Sequence, residues 1–363
     1  MGKRELLLVV IFAVLGTALY QVTAPPAQDG ATGFSLRDMF RAARGHMGDL
    51  AASRAVTRTG RLEVPPEVEV VTFDDFRGRL DVVGADIDAI DVTVEASLHG
   101  LDEADLDQQE AALVLDLATN GRQATIATRQ REMSPRVDET IRVRVPRRLA
   151  LHLGGRGVAD VRGVASAHFD DYRGDLVVEE VAGPITGSHR EGRAEFGPGT
   201  ALDFETRRGT LRLVRPASVT LDAEATDIEV TEATGPVSID QSRCTIEVVG
   251  GDGTIKVRGG GGTIKLRSIR SDVDIDAERL TVSMIMAAPA PARVAIEADD
   301  VEVTLPPGGV NVTATIEGGP LRAPAELATT TEGNTRRATG ALGGGGPLID
   351  VIVARGSLTI RTP

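Results

Sequence analysis

The sequence predicts an all-β chain: a single parallel β-helix, or β-solenoid, of roughly 17-residue coils, with an irregular N-terminal cap and an N-terminal membrane helix. Three observations carry that expectation. Aromatic residues make up only 3% of the 363 residues and Trp is missing, so Val, Ile, Leu and Ala must fill the core, which suits a narrow, repetitive interior. Alternating apolar pairs recur at a short fixed interval through the second half of the chain. At the amino terminus an uncharged apolar run follows two basic residues.

Residues 1–24 read as a transmembrane anchor or a signal peptide. Lys3 and Arg4 form a basic flank, and Leu6 to Tyr20 is the apolar stretch. Cleavage after Ala18 would use Gly16 and Ala18 as the small residues. Alternatively the run continues to Val22 or Ala24 as an uncleaved anchor, near the ~17-residue minimum for a span. Pro25 and Pro26 make the Ala24 junction a poor cleavage site. With Lys3 and Arg4 held inside, the body of the chain lies outside the cytoplasm. The expected address is therefore the inner cell membrane, single-pass, with a periplasmic body, or secretion if the segment is cleaved. No Cys lies near the run, which excludes a lipoprotein, and Gly2 lacks the Ser or Thr at position 6 that myristoylation needs.

Residues 25–60 read as a linker and a juxtamembrane amphipathic helix. Leu36, Met39, Phe40, Ala43, Met47 and Leu50 recur at spacings of three and four, and Ser35 can cap the start. Arg37, Arg41 and Arg44 lie off that stripe. Such a helix lies on the bilayer, pairs with a partner helix, or caps the first coil.

Residues 61–163 read as the cap and first strands. Strands are expected at Glu67–Phe73, Leu80–Val83, Ile90–Glu95 and Ile141–Val145, with a helix at Asp102–Ala112. Residues 164–363 carry the repeat in two beats. The first holds Leu176/Val178, Ala194/Phe196, Leu211/Leu213, Ile228/Val230, Ile246/Val248 and Ile264/Leu266. The second falls between, at Leu202/Phe204, Val219/Leu221, Val237/Ile239, Ile255/Val257 and Val273/Ile275. Each beat is a short strand with alternate residues inward, Glu229, Glu247, Lys256 and Lys265 pointing out. Only stacking of like strands in parallel buries their apolar sides at this period; an antiparallel sandwich would need hairpin turns that do not recur here. A flexible excursion is expected near 323–346, before a final strand pair at Ile349–Val353 and Leu358–Ile360.

The segments RGDLVV, GTLRL and TDIEV, the upstream IRVRVPRRLALHL and the closing ARGSLTI resemble the putative-adhesin domain of bacterial envelope proteins. The resemblance covers Leu62 to the end and rests on repeat grammar. It implies a β-solenoid on the outer side of the membrane, with adhesion or envelope-stress roles, and supplies no functional residues.

Function classes follow from charge and from motifs that fail. A net charge of -13 repels nucleic acid over most of the surface. The single Cys244 reads as a small buried filler. Arg173-Gly174-Asp175 is a tripeptide that a Gly/Asp-turn repeat generates by chance. Gly250 to Gly262 lacks the Lys-Ser/Thr of a phosphate loop, and Ile255 stands where a calcium nonapeptide needs Asp, so these glycines read as tight corners. The acidic pairs Asp74-Asp75, Asp170-Asp171 and Asp299-Asp300 read as solvated corners, with calcium as the alternative. His46, His99, His152, His168 and His189 are scattered with no ligand spacing, although His168 and His189 lie loosely one coil apart. Asn311-Val-Thr matches a glycosylation acceptor, without weight in a bacterial protein.

No catalytic, cofactor-binding or metal residue is singled out. The expected role is a binding, adhesion or scaffolding module of the bacterial cell envelope, not an enzyme. Its partners would be the membrane, through the N-terminal helix, and an envelope protein or surface glycan. Two alternatives stand: a polysaccharide-active β-helix enzyme, and an envelope-stress sensor signalling through the juxtamembrane helix.

Overall fold

The computed structural model describes residues 52–100, 102–130, 138–297 and 299–363. The chain divides into Met1–Ala51 and Ala52–Pro363. The predicted membrane segment, the linker start and the helix at Leu36–Leu50 lie outside the described residues. Among the described residues no helix is long and apolar enough to cross a membrane.

Period-two patterning makes the described chain nearly all β, with 23 strands and one helix. The first strands are β1 (Ala52–Glu63), β2 (Val70–Ala85) and β3 (Ala89–Gly100). Residues 52–60, assigned on sequence to the linker, belong to β1, which runs antiparallel to β3 over its whole length. Helix α1 (Glu103–Ala112) starts where Asp102 accepts a 2.8 Å bond from the Asp105 N–H. Its Glu103, Asp107 and Glu110 hold Arg54 of β1. Then come β4 (Leu113–Asn120), β5 (Gln123–Gln130) and β6 (Asp138–Pro146). Strand β2 meets β5 along its first half and β6 along its second, both in parallel, while β6 runs antiparallel to β3.

From β2, which pairs with β7, through β17 the successive rungs of the stack pair in parallel. The series is β7 (Ala150–Arg162), β8 (Ala167–Glu179), β9 (Pro184–Phe196), β10 (Ala201–Val214), β11 (Ser218–Glu224), β12 (Asp227–Ala233), β13 (Val237–Gly251), β14 (Ile255–Ile269), β15 (Val273–Met286), β16 (Ala292–Ile296) and β17 (Asp299–Thr304). The two beats of the sequence become two in-register columns. One runs Leu202, Val219, Val237, Ile255, Val273, Ala292, and the other Leu211, Ile228, Ile246, Ile264, Val282, Val301. All of these residues are buried. Stacking like on like about 4.8 Å apart buries each side chain against its counterpart, a gain of about 1.5–3 kcal/mol per Val, Leu or Ile.

The chain bends between the columns through a left-handed residue in each repeat. Arg208, Ala225, Arg243, Gly261 and Arg279 hold φ of 55°, 50°, 60°, 75° and 51°. Of the glycines read as corners on sequence, Gly250 and Gly261 hold left-handed φ of 69° and 75°, and the other four of these five corners are non-glycine.

The last strands are β18 (Val310–Glu317), β19 (Leu321–Arg322), β20 (Ala328–Glu332), β21 (Thr335–Leu342), β22 (Leu348–Val353) and β23 (Gly356–Arg361). The expected flexible excursion at 323–346 is instead largely an antiparallel hairpin, β20–β21, laid on β18. The final pair forms where expected, but its place in the stack is not sequential. β22 lies between β16 and β18, and β23 between β17 and β19.

Candidate anion-binding groove

Parallel stacking places chemically identical residues over one another wherever the sequence repeats them. At the bend of the first rungs this aligns arginines. Arg77, Arg156, Arg173, Arg190 and Arg207 are register partners in succession across β2, β7, β8, β9 and β10. Five rungs at about 4.8 Å span about 19 Å. The next position in the column is Glu224 on β11, whose carboxylate is held by Arg243, so the row of cations ends there.

Beside the arginines runs a column of glycines: Gly78, Gly157, Gly174, Gly192 and Gly209. A Cβ on Gly157 would lie 2.0 Å from the Gly78 carbonyl oxygen, and one on Gly174 would lie 2.1 Å from that of Gly157. Their φ values of 142° and 113° add a second requirement for glycine. The missing side chains leave an open groove of about 550 Å³, lined by Arg77, Arg156, Arg173, Glu191 and the first four glycines of the column.

Like charges stacked on neighbouring strands repel, so this arrangement costs stability unless anions offset it. Carboxylates at the bend supply part of the compensation. Asp75 pairs with Arg77 at 3.2 Å, Asp171 with Arg173 at 3.4 Å and also with Arg190, and Glu205 with Arg207. Arg156, second in the row, has no acidic partner among the described residues.

Beneath the row the interior is polar, which is unusual for this chain. Tyr172, His189 and Thr206 are in register and 0%, 1% and 1% exposed. The Tyr172 hydroxyl, His189 Nδ1 and Thr206 hydroxyl have no hydrogen-bond partner, while His189 Nε2 donates to the Gly174 carbonyl at 2.7 Å. Burial pushes the His189 imidazole below its usual range, against the opposing pull of the Gly174 carbonyl and Asp175. Burial likewise raises the Tyr172 phenol. Phe169, Phe196 and Phe204 pack edge-on alongside at centroid separations of 5.4–6.4 Å, counting Phe169 on Tyr172. Gly187, in register between Phe169 and Phe204, leaves the room for their rings.

Residues flagged on sequence are distributed as follows. His168 is in register with His152, and His189 sits on the next strand, β9, but out of register with it; the His152 and His168 rings meet edge-on at 4.9 Å on the outer face. His168 Nδ1 lies 2.9 Å from the Thr186 hydroxyl, whereas His189 points inward. Cys244 is buried as expected, its amide bonded to Gln241 Oε1 at 3.1 Å, and burial raises its thiol. Of the acidic pairs, Asp75 and Asp171 bind arginines, and Asp300 accepts from the Ser357 amide at 3.1 Å and hydroxyl at 2.7 Å. Among the described residues no cluster of three or more His, Cys, Asp or Glu side chains is placed to hold a metal. Arg173-Gly174-Asp175 contributes one residue each to the arginine and glycine columns, and Asp175 accepts from the Arg193 amide at 3.0 Å. Sequence reasoning missed the arginine row because it followed apolar residues; Arg156, Arg173, Arg190 and Arg207 recur every 17 positions.

No protein-family model matches the chain, and no curated protein matches it. Crystal structures similar to it include a putative cell adhesion protein from Clostridium sporogenes, at 10% identity and TM-score 0.22, covering 85% of this chain and 100% of that one. A putative adhesin from Bacteroides fragilis shares 10% identity over 85% of this chain and 97% of that one, with TM-score 0.25. A putative lipid binding protein from Parabacteroides distasonis shares 12% over 85% and 96%, also at TM-score 0.25. At these scores the likenesses carry no argument about this chain.

Proposed function

We propose that the chain is a β-solenoid, held outside the cytoplasm by its N-terminal apolar segment, that binds a linear polyanionic envelope glycan along the arginine row. The observation that carries the reading is the in-register column Arg77, Arg156, Arg173, Arg190 and Arg207 beside a floor of glycine backbone. Stacking five cations is the costly choice for stability alone. A ligand with anions at regular intervals turns that cost into affinity, each guanidinium pairing in fork geometry with carboxylate or phosphate. Arg156, without a carboxylate of its own, is the natural first contact. The glycine floor lets a polymer backbone lie close, and the groove's open sides admit an internal stretch of chain as well as an end. A nucleic acid fits less well, because no aromatic platform for stacked bases lines the groove.

The test measures binding of the solubilised full chain to polygalacturonate, its neutral methyl ester, and inorganic polyphosphate. Saturable binding to a polyanion that weakens steadily with salt is expected, with none to the ester. Uronate and phosphate arms separate the two sources of negative charge. Arg156→Glu should weaken binding about tenfold, equivalent to roughly 1.4 kcal/mol, without loss of the fold. Equal binding of ester and acid would end the proposal.

A further inference from the structure

From β7 to β17 each new rung is laid on the one before, but the segment that forms β22 and β23 breaks that order. It enters a slot between rungs already spoken for. On one side Ala292, Val294 and Ile296 of β16 pair with Ile349, Val351 and Val353; on the other the same three pair with Val312, Ala314 and Ile316 of β18. The second column repeats the pattern, with Val301 and Val303 on Leu358 and Ile360, and Leu321 on Leu358. Ile349, Val351, Val353, Leu358 and Ile360 are 0–3% exposed, so the segment fills the core as a full rung.

The slot is separated in sequence from the piece that fills it. β17 ends at Thr304, and β18–β21 intervene before Leu348. The connection into β22 is Gly343 to Pro347, whose first three members have φ of 59°, 92° and 80°. Such a tether is easily re-routed. With the segment withdrawn, β16 and β18 would face each other across an empty rung, each with one unpaired edge and a row of buried apolar side chains. Two unpaired parallel edges flanking an apolar trough form a receptor for one more β segment, and the sequence that matches it in register on both sides is this chain's own Leu348–Arg361.

We propose that the slot is a strand-acceptor site, and that its partner in trans is the Leu348–Arg361 segment of a second copy of this chain, giving a strand-exchanged dimer. Reciprocal exchange keeps every backbone hydrogen bond and every apolar contact of the monomer, so the cost is confined to the glycine tether and to association.

The test uses two outward-facing register partners, Arg293 on β16 and Asp350 on β22, in a Cys244→Ala background of the solubilised full chain. Neighbouring parallel strands bring such a pair within disulfide range. Chains carrying both Arg293→Cys and Asp350→Cys should oxidise to an internally crosslinked monomer, which checks the register. Chains carrying Arg293→Cys are then mixed with chains carrying Asp350→Cys and warmed to just below the unfolding midpoint. Oxidation should give covalent dimer as the major product, while mixing without warming gives little. Failure of the double variant to crosslink removes the slot as described. An internally crosslinked double variant together with an uncrosslinked mixture shows that the segment does not exchange, and overturns the proposal. Neither result depends on whether the arginine groove binds a polyanion.

Discussion

Two stretches of the same stack solve the same packing problem differently. In β11–β15 the interior columns are mostly Val, Leu and Ile, and each outward charge column carries both signs. Asp222 and Asp240 are followed by Arg258 and then Asp276, and Glu229 and Glu247 by Lys265. In β7–β10 the interior holds Phe169, Tyr172, His189, Phe196, Phe204 and Thr206, and the bend repeats one charge. The first stretch is arranged for stability: like apolar groups stack, and each charge column mixes acidic and basic residues. The second departs from both rules at the same place, and stability-costly departures concentrate where a molecule meets its ligand.

The sharpest way to break the contrast is at the glycine column. Gly157→Val places a side chain against the Gly78 carbonyl at a φ that valine does not adopt, so about 4 kcal/mol or more should be lost, read as a fall in denaturation midpoint. An equally large loss from Gly260→Val, where φ is not positive, would show that the glycine column is not special to the groove.

Next in size is the aliphatic stretch. Ile246→Ala, fully buried between Ile228 and Ile264, should cost about 3 kcal/mol by chemical denaturation. A loss under about 1 kcal/mol would mean that the columns are loosely packed.

A smaller effect is pH-dependent and belongs to the polar stretch. His189 has its folded-state pKa depressed below the ordinary 6.5, so the unfolded chain takes up the proton first. Its stability contribution is complete above about pH 6.5 and is lost as pH falls toward the folded-state pKa, by up to about 1.4 kcal/mol per pH unit. His189→Gln should flatten that part of the stability profile; an unchanged slope would place the titration elsewhere.

The smallest effect compares neighbouring corners. Arg243 holds φ of 60° at the position that Gly261 occupies one rung on. Arg243→Gly should relieve strain and stabilise by about 1 kcal/mol, less whatever its exposed pair with Glu224 contributes. Thermal melting of the two proteins checks the sign.

The sequence alone determined the strand columns. Alternation at Ile228/Val230 or Ile255/Val257 states which side of a strand is buried, and a constant interval states which residues stack, because side-chain direction and rung register are local, periodic quantities. It also placed α1, expected at Asp102–Ala112 and found at Glu103–Ala112. The arginine row was present in the 17-residue spacing of Arg156, Arg173, Arg190 and Arg207 but legible only once register is applied to polar positions as well. Arg77 could not be counted into it, because β3–β6 and α1 intervene in sequence and only pairing of β2 with β7 restores the neighbourhood. Tertiary structure alone decided that residues 323–346 fold largely as a hairpin, that His152 rather than His189 meets His168, and that Leu348–Arg361 fills a rung between β16–β17 and β18–β19. Each depends on which distant strand edge a segment finds, and that choice is settled by the free edges and buried surface of the assembled stack, not by any local pattern.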